Sequence, residues 1–415
     1  MKNITKLFSA ERGEAESLYA CLRLGVALLL MTIGGAGMYG ISVALPLVQS
    51  EFGVARADAS LPYTLTMIGF GLGGILMGRL ADRFGVIVPV MIGAASLGAG
   101  FIAAGTAPSL WQFALAHGLL IGFLGCSATF APLVADTSLW FSRHRGIAVA
   151  ICISGNYIAG AAWPPILQHF FESAGWRATY VGVGMFSVVA MLALSLMLRK
   201  RPPLIAAAAA PSAVARGEQP LGLQPNALLG LLSIAGVACC VAMSMPQVHI
   251  VAYCGDLGYG AARGAEMLSL MLGFGIVSRL ASGWISDRIG GLRTLLLGSA
   301  LQGIALALFL PFDGLVSLYV ISALFGLFQG GLVPSYALIV REYFTPREAG
   351  ARVGIVLMAT LFGMALGGWM SGAIFDLTGS YRAAFVNGLA WNLLNLTIAF
   401  WLVRRARLRA ALAPA

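Results

Sequence analysis

Charged side chains are scarce in this 415-residue sequence. They make up 10% of the chain, hydrophobic residues make up 59%, and the mean hydropathy is +0.88. A soluble protein carries about 25% charged residues. A chain this apolar has too few polar groups to cover its hydrophobic surface, so the composition disfavours a soluble fold and predicts lipid as the solvent. The 53 glycines also favour a membrane protein, because small residues let membrane helices approach closely.

Lysine and cysteine are also sparse. The three lysines are Lys2, Lys6 and Lys200, and the six cysteines lie mostly in apolar runs without metal-ligand or disulfide-framework spacing. No nucleophile–base pair or phosphate-binding loop accompanies them, so we expect no enzyme, no cofactor and no metal site. The net charge of +10 gathers at helix ends, which predicts no nucleic-acid partner. The N-terminal stretch lacks a clean cleavage site, and we expect the first apolar run to remain as a helix.

The apolar runs predict twelve transmembrane helices, because a spanning helix needs roughly 17–25 mostly apolar residues. The predicted spans are 22–47, 60–81, 86–107, 109–137, 146–171, 177–198, 226–252, 262–284, 293–312, 315–340, 350–375 and 382–403.

The basic residues set the orientation. With the N-terminus inside, the outer loops hold Arg56, Arg177, Arg263 and Arg382, and Arg279 lies within a span. The remaining Lys and Arg fall on the inner side, as the positive-inside rule requires. We therefore predict an integral protein of a bacterial inner membrane, with both termini cytoplasmic. Its expected partners include membrane lipid, and the expected oligomeric state is a monomer.

Two halves of the sequence resemble each other at a spacing of 205 residues. "GRLADRFG" begins at Gly78 and "GWISDRIG" at Gly283, while "EFG" at Glu51 matches "DLG" at Asp256. Between the halves lies a stretch rich in Ala and Pro. We predict an N-terminal six-helix bundle over 1–200, a cytoplasmic linker over 201–224 and a C-terminal bundle over 225–415. Parallel six-helix repeats are typical of one large class of transporters.

The repeated motif resembles the signature G-x-L-A-D-R-x-G of the major facilitator superfamily. That resemblance covers essentially the whole chain and implies an all-α membrane fold of two pseudo-symmetric six-helix bundles. It also implies a gating role at the inner face for Gly78, Asp82, Arg83, Gly283, Asp287 and Arg288. The alternative is a helix stop with basic anchors.

A narrower resemblance points to the branch of monocarboxylate transporters and oxalate/formate antiporters. It rests on "WFSRHRGIAVAICISGNYIAG" at 140–160, on "ALPLVQSEFGVAR" at 44–56, and on Arg279, since both groups place an arginine in the eighth helix for the substrate carboxylate. The chain departs from these families at three places. Gly275 replaces the acidic residue one turn before that arginine in animal carriers. The first helix, around Gly34 to Gly40, and the eleventh helix, over 353–370, lack the family lysines.

Arg279 is the strongest single candidate for substrate binding. An arginine at the centre of a membrane helix costs roughly 2.5–3.5 kcal/mol on insertion scales and usually faces a cavity. A carboxylate could bind its guanidinium by two parallel hydrogen bonds. The alternative is snorkelling to the inner interface, about 12 Å away along the helix. Its counterpart 205 residues earlier is Gly74, so the arginine is not part of the repeat.

Two protonatable residues lie toward the outer end of the seventh span. His249 could exchange protons or simply bond between helices. Asp256 could pass protons or cap the turn that follows it. Further polar and aromatic side chains are candidates to contact substrate, with interhelical packing as the alternative for each: Tyr39, Phe130, Asn156, Tyr157, Gln247, His249, Gln329, Tyr336 and Phe362.

Together these residues predict a secondary transporter that carries a small monocarboxylate such as lactate or pyruvate together with a proton. One fixed cation suits one negative charge, which favours a monocarboxylate over a dicarboxylate. The alternative is an organic-anion exchanger of the oxalate/formate type.

Overall fold

A computed structural model of the chain describes residues 16–141, 143–200 and 220–412, and every regular element in those ranges is helical. Twelve helices are long and apolar enough to cross a membrane. In chain order, α1 to α12 are Leu18–Phe52, Arg56–Phe84, Ile87–Gly105, Leu110–Trp140, Arg145–Ala174, Trp176–Leu198, Pro225–Asp256, Ala261–Ile289, Gly291–Leu308, Leu315–Tyr343, Glu348–Thr378 and Tyr381–Arg409.

The number and order of the predicted spans are confirmed. Only helices and closed barrels satisfy every backbone N–H and C=O group in lipid, and these apolar runs are long enough for helices. Of the predicted linker, residues 201–219 lie outside the described residues. Its last part contains a short 3₁₀ turn at Pro220–Gly222.

Three of the helices are interrupted. Helix α1 is interrupted at Gly35, between Leu18–Gly34 and Ala36–Phe52. Helix α4 contains a wide π-helical stretch at Ala116–Cys126. Helix α10 is divided into Leu315–Gln329 and Leu332–Tyr343 by two glycines. Such irregularities in membrane helices frequently accompany functional sites.

The described residues of Met1–Gly53 and Leu61–Ala208 form one compact unit. In it, α3 packs against α6 and against the π-helical stretch of α4, and α1 packs against α5. Helix α2 approaches α4 through Gly69 and Gly73, where an added Cβ would collide with backbone carbonyls of α4. Helix α5 approaches α1 closely at Gly155, since a Cβ there would press against Leu28 and Met31.

The described residues of Val54–Ser60 and Ala209–Ala415 form a second compact unit. Helix α7 is its most buried helix and packs against α8, α11 and α12. Helix α11 approaches α7 through Gly363 and Gly367, where a Cβ would collide with Val237 and Ser244. Helix α8 packs against α10 in the same unit, so both interrupted and continuous helices contribute to its core.

Candidate substrate site

Arg279 lies within α8, ten residues before the helix ends at Ile289, which is about 15 Å along the axis. Its side chain is half-buried in the second unit, and its Nε donates a long hydrogen bond of 3.5 Å to the carbonyl oxygen of Gly330. Glu266, an acidic residue of the same helix, is 13 residues away and pairs with Arg263 at 3.0 Å. The guanidinium is therefore held by the backbone of α10.

The Gly330 carbonyl is available to Arg279 because of a proline. In a regular helix this oxygen would accept from the N–H four residues later, but that residue is Pro334, which has no N–H. The helix is interrupted at the same place, between Gln329 and Leu332. A proline and two glycines thus leave a backbone acceptor in the middle of a membrane helix without its usual helical donor. Arg279 contacts that acceptor.

The two glycines of the interruption also bring α10 close to α8. A Cβ at Gly330 would collide with the Gly275 carbonyl, and a Cβ at Gly331 would collide with the Ser282 side chain. Gly275 is the position at which animal carriers of the resembling family have an acidic residue. The backbone carbonyl of Gly275 thus lies against Gly330 of α10, which leaves no room for a side chain at Gly330.

Gln329 immediately precedes the interruption and is fully buried. Neither the amide oxygen nor the amide nitrogen of its side chain has a hydrogen-bond partner among the described residues. A buried, unsatisfied amide is rare in proteins, and such groups are often explained by a ligand or a bound water. Gln247, on α7, is buried in the same unit.

Two other candidates of this unit have different surroundings. Tyr336 is fully buried and donates its hydroxyl to Asn395 on α12 at 2.7 Å, within a polar network between helices. Phe362 is exposed over 45% of its surface. Gln329 therefore directly precedes the residue whose carbonyl Arg279 contacts, whereas Tyr336 bonds to α12 and Phe362 is largely exposed.

His249 is fully buried and hydrogen-bonded through both ring nitrogens. A carbonyl can only accept, so Nε2 carries the hydrogen and donates to Gly368 O at 2.8 Å. In the neutral imidazole Nδ1 is then an acceptor, and it receives the hydroxyl of Tyr381 at 3.0 Å. The network therefore fixes one tautomer of the neutral ring.

The same tyrosine connects His249 to charged groups. Its oxygen accepts from Nη1 of Arg56 at 3.0 Å, and the guanidinium pairs with Asp256 at 2.5 Å. Asp376 accepts from the backbone N–H groups of Arg56 and Ala57 at 2.9 and 2.7 Å, which caps the start of α2. These bonds explain why residues 54–60 belong to the second unit.

Sequence reasoning identified His249 and Asp256 but not the arginine that pairs with Asp256. The repeat contains a usable signal, because Glu51, the counterpart of Asp256, also binds an arginine. Glu51 accepts from Nε of Arg177 at 2.7 Å in the first unit. An acidic residue near the end of the first helix of each half therefore predicts an arginine partner.

The remaining candidates lie in the first unit. Phe130 packs edge-on against Phe70 with ring centroids 5.6 Å apart, and Tyr157 is buried. Asn156 lies close to the interruption of α1 at Gly35, and Tyr39 is half-buried just after that interruption.

The repeated inner-face motif is exposed in both units. Asp82 and Asp287 are exposed, and neither forms an ion pair with any residue in the described ranges. Arg83 lies over the Phe84 ring and Arg288 over the Trp284 ring, at 5.1 and 3.6 Å. A Cβ added at Gly78 or at Gly283 would meet nothing within 4 Å.

A buried ion pair in the first unit was missed by sequence reasoning as well. Arg23 on α1 donates from Nε and Nη2 to the two carboxylate oxygens of Asp136 on α4, at 2.8 and 2.9 Å. The guanidinium lies 4.7 Å from the ring centroid of Trp140 and also donates to the hydroxyl of Tyr19. Arg23 is 3% exposed, so this pair is part of the core and not of a surface.

Twelve helices that can span a membrane, with an arginine in the interior of one of them, fit the architecture of a membrane transporter. Residues 27–321 and 267–415 match the Major Facilitator Superfamily, and the chain belongs to that family, in its monocarboxylate transporter-like branch. It is a transporter and not an enzyme, and it is an integral membrane protein.

Several relatives support this placement. The chain is 30% identical over 309 residues to monocarboxylate transporter 13 of Bos taurus, covering 74% of this chain and 71% of the relative. It is 30% identical over 346 residues to monocarboxylate transporter 13 of Rattus norvegicus, covering 79% and 75%. It is 26% identical over 346 residues to the uncharacterized MFS-type transporter YcxA of Bacillus subtilis, covering 81% and 83%.

Two solved structures share the fold. A bacterial homolog of the human lysosomal transporter Spinster superposes with a TM-score of 0.70 at 16% identity, covering 95% of this chain and 98% of that chain. The nucleoside transporter NupG, as its D323A mutant, gives a TM-score of 0.69 at 15% identity, covering 93% and 99%. These similarities establish the fold. They do not identify the substrate, which has to be inferred from the residues of the site.

Proposed function

We propose that the protein carries small monocarboxylates of the lactate and pyruvate type across a bacterial inner membrane, together with a proton. Transport proceeds by alternating access, with residues 1–200 and 225–415 as the two moving halves and both termini in the cytoplasm. The observation that carries this proposal is the position of Arg279, in the interior of α8 and 3.5 Å from the Gly330 carbonyl of α10.

Arg279 binds the substrate carboxylate. A guanidinium that donates through Nε to a fixed backbone oxygen has its plane oriented, and its two terminal nitrogens can then meet a carboxylate with two parallel hydrogen bonds. Bound substrate neutralises the cation, which lowers the cost of moving it through the membrane interior. The loaded carrier therefore reorients more easily than the empty one.

Gln329 provides a second polar contact. Its amide is buried beside the interruption and can both donate and accept. The oxygen at the second carbon of lactate or pyruvate lies next to the carboxylate and would satisfy this amide. The resemblance of the chain to relatives named monocarboxylate transporters supports the same substrate class.

The proton is carried by the network of His249 and Asp256. Protonation of His249 at Nδ1 would make it a donor to Tyr381, whose hydroxyl would turn toward a carboxylate such as Asp256. Arg56, Asp256, Asp376 and Tyr381 are the ionisable groups that surround this path, together with Tyr253 on the same helix.

Uptake into proteoliposomes tests the proposal. An inward proton gradient should drive accumulation of labelled lactate, and His249→Ala or Asp256→Asn should weaken this drive while leaving lactate exchange partly intact. Counterflow with lactate, pyruvate and oxalate should show preference for the two monocarboxylates. Preference for oxalate with no effect of pH would instead indicate an anion exchanger of the oxalate/formate type.

A further inference from the structure

The second unit contains a cavity of about 370 Å³ whose lining does not include Arg279. Its wall comes from three places: the turn between α8 and α9, the end of α10 and the last third of α12. The turn follows the motif "GWISDRIG", so the cavity lies at the predicted inner end of the helices. None of the proposed transport residues lines it.

Two arginines line this cavity, Arg293 at the start of α9 and Arg407 on α12. Both are exposed, and neither has an ion-pair partner in the ranges that the structure describes. Arg405, two residues earlier on α12, is instead committed to the carbonyls of Leu221 and Gly222 at 2.7 and 3.0 Å. The cavity therefore contains two guanidinium groups that can bind a negatively charged ligand.

The acidic residue of the cavity is committed to the backbone. Glu342 accepts the N–H of Gly291 at 2.9 Å and so caps the first turn of α9. Tyr343 also lines the cavity. Two guanidinium groups outnumber the single carboxylate of Glu342, so the charged side chains of the lining are positive on balance, and the guanidinium groups can donate hydrogen bonds to a phosphate group.

The other residues that line the cavity are apolar: Ile289, Gly290, Leu292, Val403 and Ala406. Leu292 and Val403 are buried in its floor, at 4% and 5% exposure. On either side along α12, Phe400 and Leu408 are more than half exposed. A free phosphate would gain nothing from these surfaces, whereas the chains of a lipid would cover them.

The arginine of the turn is not part of the repeat. The position 205 residues before Arg293 is Val88, although the glycine of the turn, Gly290, has its counterpart in Gly85. Both glycines have the same positive φ of 83°, so the two turns share a backbone conformation and differ in charge. If Arg293 served only to anchor the helix end at the membrane surface, we would expect a basic residue at the equivalent position of the first half as well.

We propose that this cavity binds the phosphate headgroup of an anionic phospholipid. Arg293 and Arg407 hold the phosphate oxygens, and the acyl chains lie along the exposed apolar face of α12. Basic pockets between membrane helices are known to favour anionic lipid headgroups. The site is independent of the proposed transport reaction.

Binding to the purified, delipidated protein in neutral detergent tests this site. We would titrate short-chain phosphatidylglycerol, phosphatidylcholine of the same chain length, and inorganic phosphate, and follow binding by calorimetry. The wild-type protein should bind phosphatidylglycerol at least about tenfold more tightly than phosphatidylcholine, because only the first keeps a net negative charge. The double variant Arg293→Gln/Arg407→Gln should lose that preference.

Two further variants separate the chemistry from folding. Arg341→Gln removes an exposed arginine near the end of α10 that does not line the cavity, and it should leave the preference unchanged. Arg293→Lys/Arg407→Lys retains the charge without the fork and should give an intermediate preference. Equal binding of both lipids by the wild-type protein, or an unchanged preference in the glutamine double variant, would overturn the proposal. Binding of inorganic phosphate as tight as that of phosphatidylglycerol would overturn the lipid as the ligand.

Discussion

The Nε of Arg279 and the carbonyl oxygen of Gly330 are 3.5 Å apart, and the carbonyl is one that Pro334 leaves without its usual helical donor. This relationship connects a sequence feature in one helix to the orientation of a charged side chain in another. It makes Pro334 a positioning residue for the proposed carboxylate site, although it need not touch substrate.

Replacing Pro334 with alanine should weaken substrate binding. The substitution Pro334→Ala restores an N–H that can donate to Gly330 O, and Arg279 then competes with it for that backbone acceptor. A hydrogen bond contributes about 0.5–1.5 kcal/mol, so the KM for lactate should rise about two- to tenfold. Initial rates of uptake into proteoliposomes would measure this, with the maximal rate changing less than KM.

The Arg279→Lys background provides the control for this prediction. Lysine has no Nε–H in a guanidinium plane, so the Gly330 contact is already lost. Pro334→Ala should therefore add little to the KM of Arg279→Lys. A full additive effect would mean that the proline acts on the helix in another way.

Replacing Tyr381 with phenylalanine should uncouple His249 from Arg56. The variant removes the hydroxyl that His249 Nδ1 accepts and the oxygen to which Arg56 donates. Leaving such buried groups unsatisfied costs about 1–3 kcal/mol, so the thermal midpoint should fall. The pH profile of proton-driven lactate uptake should also differ from that of the wild-type protein, because the variant removes the hydroxyl that joins His249 to Arg56.

Tyr253→Phe is the matched variant for Tyr381→Phe. The Tyr253 ring packs against Tyr381, with centroids 5.4 Å apart, but its hydroxyl is not part of the chain of bonds to His249. Its pH profile should match that of the wild-type protein. Identical shifts in the two variants would remove the network from the coupling mechanism.

Breaking the buried pair of Arg23 and Asp136 should destabilise the first unit. Asp136→Asn leaves a buried guanidinium without its counter-charge, which costs about 3–5 kcal/mol. Glu348→Gln breaks a pair whose carboxylate is more than half exposed, and such pairs contribute about 0–1 kcal/mol. Thermal unfolding of both variants in one detergent should show a clearly larger loss for Asp136→Asn.

Glu16 should dock the segment before α1 only while it is ionised. Its carboxylate accepts the backbone N–H groups of His144 and Arg143, at 3.0 and 2.6 Å, and the bond from His144 is the main reason that its pKa is lowered from 4.5. Because the folded-state pKa is depressed, docking is present above the unfolded value and is lost as the pH falls through the folded one.

Hydrogen exchange checks this prediction. The amides of residues 143–146 should exchange faster in Glu16→Gln than in the wild-type protein at neutral pH. Acidification below the lowered pKa should reduce the protection of these amides in the wild-type protein, measured against their intrinsic exchange rates at each pH, and should change the protection in the variant little. Equal exchange at neutral pH would contradict the docking role.

Much of the fold follows from the sequence because lipid permits few backbone structures. Long apolar runs must be helices there, so counting them predicted the correct number and order of spans. The interruption of α10 was less accessible. Pro334 removes one helical hydrogen bond, but the close packing of Gly330 and Gly331 on α8 depends on which helices are neighbours.

The site could be predicted only in part for the same reason. Arg279 stands out in the sequence because a cation in an apolar helix is costly. The bonds of His249 to Tyr381 and of Arg23 to Asp136 join residues 132 and 113 positions apart, and no local pattern specifies them. The repeat of Glu51 and Asp256 did indicate that each acid has an arginine partner, because carboxylates at equivalent positions of the two halves are both stabilised by a nearby positive charge.

The central claim is that Arg279 binds the substrate carboxylate, and equilibrium binding of lactate to purified protein tests it most directly. Arg279→Ala should raise the Kd about 100-fold or more, because two charge-assisted hydrogen bonds of about 1.5–3 kcal/mol each are lost. Arg279→Lys should fall between alanine and the wild-type protein. Arg263→Ala, which removes an exposed arginine of the same helix, should leave the Kd unchanged. A wild-type Kd in the Arg279→Ala protein would contradict the claim.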